Sequence, residues 1–124
     1  MTAKPTILLA VHDLHLAEIF ARQFEREGWT VEVIDKLPAA ELRAVQFRPN
    51  IMIIDAQALP DVASELRRLR TLPTLLKTKI VLLADEAHHT NVHQALTAGA
   101  AEYVLTGHLT PSSLVTKMKR LLAV

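Results

Sequence analysis

The sequence has no cysteine, three glycines and, from three phenylalanines, one tryptophan and one tyrosine, very few aromatics in 124 residues. Each scarcity removes a class of chemistry. Without cysteine there is no disulfide, no thiolate nucleophile and no cysteine-ligated zinc or iron–sulfur site. That absence suits a reducing compartment. With only Gly28, Gly99 and Gly107, there is no glycine-rich phosphate loop and no G-x-S-x-G elbow. A nucleotide or flavin binder and a serine hydrolase are therefore disfavoured, and no enzymatic activity is expected. Phe20, Phe24, Trp29, Phe47 and Tyr103 are scattered and build no base-stacking platform. Neither sign of charge dominates: the formal net charge is +1. No basic stripe suited to a phosphate backbone is present, so nucleic-acid binding is not expected. The densest basic run, Arg67, Arg68 and Arg70, reads as a solvated helix face. The apolar run after Met-Thr-Ala-Lys-Pro-Thr is too short for a signal-peptide core or a membrane span. No membrane partner and a cytoplasmic location follow as expectations.

What is present is a hydrophobic half of the composition, enough for a core without staples. The length fits one compact domain over residues 1–124. Short apolar runs alternate with longer helical patterns. The runs are Thr6 to Val11, Thr30 to Ile34, Ile51 to Ile54, Lys79 to Ala84 and Glu102 to Leu105. They are uninterrupted and rich in β-branched residues, as strands covered on both faces are. Between them, Leu16, Ile19, Phe20 and Phe24 form one helical face that Gly28 ends. Leu37 to Phe47 is a second helix, closed by Pro49. Pro60 opens a third, which Pro73 ends or kinks. Val92 and Leu96 belong to a fourth, closed by Gly99. Thr110 and Pro111 start a fifth as N-cap and first-turn proline. This (βα)₅ order implies α/β architecture, a three-layer sandwich around a five-stranded parallel sheet. Ligands in such sheets lie at the carboxyl ends of the strands. The residues to inspect are therefore His12, Asp13, Asp55, Ala84, Asp85, Glu86, Thr106, Gly107 and His108.

One stretch stands out among these: PNIMIIDAQALPD, where a lone carboxylate, Asp55, ends a buried strand. Along its length the chain resembles the receiver domain of bacterial response regulators, the CheY-like superfamily. The resemblance is carried by ILLAVHD, REGWTVEV, RPNIMIID, KIVLLADEA, ALTAGAAEYVL and LTPSSLVTKMKRLL. It implies flavodoxin-like topology with strand order 2-1-3-4-5. It also implies two-component or phosphorelay signalling, with Asp55 at the phosphoacceptor position. In that family an acid pair after strand 1 holds magnesium with the acceptor. A hydroxyl after strand 4 and a lysine after strand 5 bind the phosphoryl oxygens.

Here the acid pair falls on Val11 and His12, the hydroxyl on Ala84 and the lysine on Thr106. Asp13 follows immediately. The segment from Asp55 to Pro60 is one residue longer than the common pattern. A magnesium site with one surviving acid is expected to be weak, because hard cations need oxygen ligands. Losing several electrostatic contacts, each worth ~2–4 kcal/mol, argues against ordinary phosphoryl transfer. The leading reading is thus a pseudo-receiver with no resident cofactor, acting by protein–protein interaction. The alternative is a phosphorylatable receiver in which Asp13 serves beside Asp55. That alternative needs strand 1 to shift by one residue. A third reading is a metal- or pH-responsive module using His12, His15, His88, His89, His93 and His108. His89 and His93, spaced i, i+4, are its best pair. His12 is also expected to pair with Asp55 and partly supply the missing positive charge. Asp85 and Glu86 are assigned to the helix dipole. Expected partners are signalling proteins or an output domain, which would lie beyond Val124 if the chain is an excised piece. The resemblance places the interaction face on helix 4, strand 5 and helix 5, with Tyr103 central and His93 and Lys117 nearby. A homodimer through that face is one form it could take.

Overall fold

The computed structural model describes residues 4–85 and 92–123. Five strands are formed: β1 (Thr6–Ala10), β2 (Thr30–Val33), β3 (Ile51–Asp55), β4 (Lys79–Ala84) and β5 (Glu102–Leu105). They alternate with α1 (Leu14–Arg26), α2 (Leu37–Phe47), α3 (Val62–Arg70), α4 (Val92–Thr97) and α5 (Pro111–Leu122). The sheet order is β2-β1-β3-β4-β5. Every pairing is parallel, with Ala10 opposite Ile54, Asp55 opposite Leu83 and Ala84 opposite Leu105. The (βα)₅ architecture and strand order expected from the sequence are therefore borne out.

Period-two alternation splits the strand residues between two apolar layers. Ile7, Leu9, Val11, Ile51, Ile53, Val81 and Val104 face α1 and α5, where Phe20, Phe24, Leu114 and Met118 cover them. Leu8, Met52, Ile54, Ile80 and Leu82 face the opposite layer, covered by Ala40, Ala44, Leu66, Leu69 and Ala95. β3 is buried at every position, as a central strand sandwiched by helices must be.

Local chemistry sets the helix ends. Asp13 caps α1 by accepting the Leu16 N–H at 3.1 Å. At the other end Gly28, with φ +89°, lets the Trp29 N–H reach back to the Phe24 carbonyl at 3.0 Å. α5 opens with a reciprocal box: Thr110 and Ser113 each accept the other's backbone N–H, with Pro111 in the first turn.

Several boundaries differ from expectation. β1 ends at Ala10 and β2 at Val33, one residue early, while β3 runs one further to include Asp55. α3 begins after Asp61 rather than at Pro60, because the Asp61 carboxylate accepts the Ser64 N–H at 3.2 Å. That bond, with the Ser64 hydroxyl, holds the Asp61 carboxyl below the usual carboxylate range. The basic run is not a simple solvated face. Arg68 bonds Glu65 and Glu41, which raises its pKa, and Arg70 turns inward to three backbone carbonyls. The described part of helix 4 starts at Val92.

Candidate functional site

The carboxyl ends of β1, β3, β4 and β5 surround a cavity of about 160 Å³, lined by Asp13, Leu16, Asp55, Gln57, Leu83, Ala84, Asp85 and Thr106. Asp55 is 8% exposed, at the last residue of β3. One of its oxygens accepts the Gln57 N–H at 3.0 Å, so Asp55 caps a 3-10 turn over Ala56–Ala58. This turn absorbs the extra residue seen in the sequence between Asp55 and Pro60. It also brings Gln57 over the cavity, where its side-chain amide donates to Asp85 at 3.1 Å. Gln57 was not singled out from sequence, since a glutamine in a loop carries no motif. Asp85 was attributed to a helix dipole. The structure adds a second setting: Asp85 is half-buried and lines the Asp55 cavity. Glu86, His88 and His89 lie outside the described residues.

Alternation along β1 decides which of its residues reach this cavity. Val11 has the same parity as Ile7 and Leu9, on the Asp55 side of the sheet, and is 0% exposed within the α1/α5 layer. The position where the resemblance puts a metal-binding acid is therefore filled by hydrocarbon. His12 has the opposite parity and is exposed. It lines a different hollow, of about 190 Å³, with Gln57 and Ala58. The expected pairing of His12 with Asp55 is corrected: the hydrogen bond to the Asp55 carboxylate comes from Gln57, and His12 points elsewhere. Asp13, past the end of β1, lines the cavity without any register shift, because β1 and β3 keep ordinary pairing up to Ala10 and Ile54. The one-residue slip that this arrangement was expected to require is not needed. Ala84 and Thr106 also line the cavity, one with a methyl group and the other half-buried with a hydroxyl.

The cavity thus collects Asp13, Asp55 and Asp85, and among the described residues its lining holds no lysine, arginine or histidine. Two unit charges 4 Å apart near a protein surface interact by about 4 kcal/mol, so a phosphoryl dianion entering here meets strong repulsion. Magnesium is the ion the resemblance implies. The donor set does not fit it. Among the described residues no three histidine, aspartate or glutamate side chains are grouped closely enough to hold a metal ion. Asp13 and Asp55 each engage one oxygen with a backbone N–H, and Asp85 accepts the Gln57 amide.

The expected interaction face is arranged around the edge strand β5. Tyr103 is half-buried against the layer under α3 and α4, His93 is exposed on α4, and Lys117 is exposed on α5. His15 and His108 are exposed near the carboxyl edge of the sheet. No helix among the described residues is long and apolar enough to cross a membrane.

With this geometry in place, likeness to known proteins becomes informative. No family model matches the chain. It is 30% identical over 120 residues to the phosphate regulon transcriptional regulatory protein PhoB of Rhizobium meliloti (strain 1021). That alignment covers 95% of this chain and 52% of the relative, so the chain spans about half the relative's length. Among solved structures, a response-regulator receiver domain from Bermanella marisrubri superposes with TM-score 0.80 at 23% identity, covering 98% of this chain and 100% of that one. A putative response regulator from Chloroflexus aurantiacus gives TM-score 0.84 at 23% identity, with the same coverage of 98% and 100%. In strand order, helix placement and extent, the chain has the CheY-like receiver fold of response regulators.

Proposed function

We propose that the chain is a pseudo-receiver: a signalling module that works by protein–protein interaction, with Asp55 kept at the phosphoacceptor position but without the phosphorylation cycle. The observation that carries this reading is Val11. It is fully buried in the α1/α5 core beside Asp55, at one of the two positions where the resemblance puts a metal-binding acid. Ala84 and Thr106 add to it, because among the described residues the cavity lining offers no cation to balance incoming phosphate. The module is read as a binding protein rather than an enzyme. Its partner is a signalling protein or an output domain, met through the α4–β5–α5 face around Tyr103, His93 and Lys117. A self-paired form would use the same face.

A second reading has its own observation. Asp13 shares the cavity with Asp55, and the Thr106 hydroxyl lies in the same lining. An atypical receiver phosphorylated on Asp55 with help from Asp13 would use that juxtaposition.

Amide NMR separates the two. The protein is titrated with magnesium and then beryllofluoride, a mimic of the phosphoryl group on aspartate. The pseudo-receiver gives a flat response at millimolar magnesium, with or without beryllofluoride. Saturable shifts at Asp55, Thr106 and Tyr103 that vanish in Asp55→Asn would establish the second reading instead.

A further inference from the structure

The opposite end of the sheet, where the strands begin, carries the other sign of charge. A cavity of about 590 Å³ opens there between Arg48–Asn50, which lead into β3, and the Pro73–Thr78 segment, which leads into β4. Its lining includes Arg48, Asn50, Thr74 and Lys77 and contains no aspartate or glutamate. A neighbouring hollow of about 530 Å³ shares Leu76, Lys77 and Thr78 and adds Arg70 and Lys79, again without an acid. Arg48, Lys77 and Lys79 are exposed, and none takes part in a salt bridge among the described residues.

The hydrogen-bond inventory is equally one-sided. The Arg70 guanidinium engages the loop's acceptors: the carbonyls of Thr78 at 2.7 Å, Leu75 at 3.0 Å and Leu76 at 2.8 Å. The Thr78 hydroxyl donates to the Pro49 carbonyl at 2.8 Å. The Asn50 carboxamide oxygen accepts both the N–H and the hydroxyl of Thr6, at 2.8 and 3.1 Å. Its remaining side-chain group is therefore the NH₂ donor. The side chains left in the lining bring positive charge and donors: Arg48, Lys77, the Asn50 amide and the Thr74 hydroxyl. The frame is also fixed in advance. Arg70 pins the loop, and its own charge stays beside it. Arg48 is held in the left-handed region, φ 50°, by its N–H bond to the Ala44 carbonyl at the end of α2.

A site of this size falls in the range that takes small molecules. From its unpaired cations, its side-chain donors and its lack of acidic side chains, we infer that the Arg48–Lys77 cavity binds a small phosphate-bearing anion. The chemistry that recognises it is charge-assisted donation from arginine and lysine, with amide and hydroxyl donors setting orientation.

Inorganic pyrophosphate is the probe, titrated into the protein in metal-free buffer at about 0.15 M salt, where loose surface attraction is largely screened. Amide NMR should show saturable shifts at Asn50, Thr74, Lys77 and Thr78 that fit one dissociation constant. Arg48→Gln and Lys77→Gln, each checked for an unchanged spectrum elsewhere, should weaken binding by roughly three- to ten-fold. Arg22→Gln, on the exposed face of α1, should leave it unchanged. Linear shifts spread over many basic residues, full affinity in both cavity variants, or an identical response to sulfate at equal ionic strength would overturn the assignment.

Discussion

Val11 and His12 are adjacent in the chain and end on opposite faces of the sheet. In a strand that is unavoidable, and at the edge of this cavity it settles what each can do. Val11 faces the Asp55 side and is packed in hydrocarbon; His12 faces away and meets water. Placing an acid at Val11 therefore tests the site directly. Val11→Asp puts a carboxylate in a hydrocarbon layer beside Asp55, and denaturant unfolding should show a loss of about 3 kcal/mol or more. Magnesium should recover part of that loss in the variant and leave the parent unmoved. A variant as stable as the parent in metal-free buffer would mean that the Val11 position is wetter than its burial implies.

At the scale of elements, the junction of α3 with the end of α4 is the tightest constraint. Gly99 follows α4 with φ +121°, and a Cβ there would lie 2.5 Å from the Arg70 Cγ. Arg70 cannot give way freely, since its guanidinium is tied to three carbonyls of the Pro73–Thr78 segment. Gly99→Ala should therefore destabilise by roughly 1–3 kcal/mol through both backbone strain and the clash. A double-mutant cycle with Arg70→Ala checks the cause: removing Arg70 relieves the clash, so the double variant should lose less than the sum of the two single losses. Strict additivity would show that backbone strain alone is responsible. Sequence patterning read the helix around Arg70 well, but not this contact. Three arginines within four residues look like a wet face until the loop after the helix is folded back onto one of them.

At the scale of the whole molecule, the net charge of +1 conceals a separation. In a parallel α/β sandwich every helix starts at the carboxyl edge of the sheet and ends at the amino edge. Capping prefers acids at starts and bases at ends. Asp13 caps α1 and Asp61 caps α3 at one edge. Arg70 ends α3, and Lys119 and Arg120 lie in the last turn of α5 at the other. Asp55 and Asp85 enlarge the first set, and Arg48, Lys77 and Lys79 the second. Only the basic edge should thus respond to a small ion, and that ion is an anion. Pyrophosphate at a hundred times its dissociation constant should stabilise the fold by about 2.7 kcal/mol and raise the melting temperature by several degrees. Millimolar magnesium should not move it. The reverse pattern in a thermal melt would refute both assignments together.

The sequence by itself determined the strands, the helices and their order, because a buried parallel strand and an amphipathic helix each write their period locally. It placed Asp55 at the end of β3, and its resemblance to receiver domains put Val11, His12, Ala84 and Thr106 where partners of an acceptor aspartate are expected. It could not decide which side chains meet. Asp13 reaches the Asp55 cavity from a loop, Asp85 enters it ahead of the described start of α4, and Gln57 is lifted over it by a 3-10 turn. The basic cavity at the far end joins residues about thirty positions apart in sequence. Those meetings depend on strand order and loop closure, which bring distant segments to one edge, and only the tertiary structure fixes them.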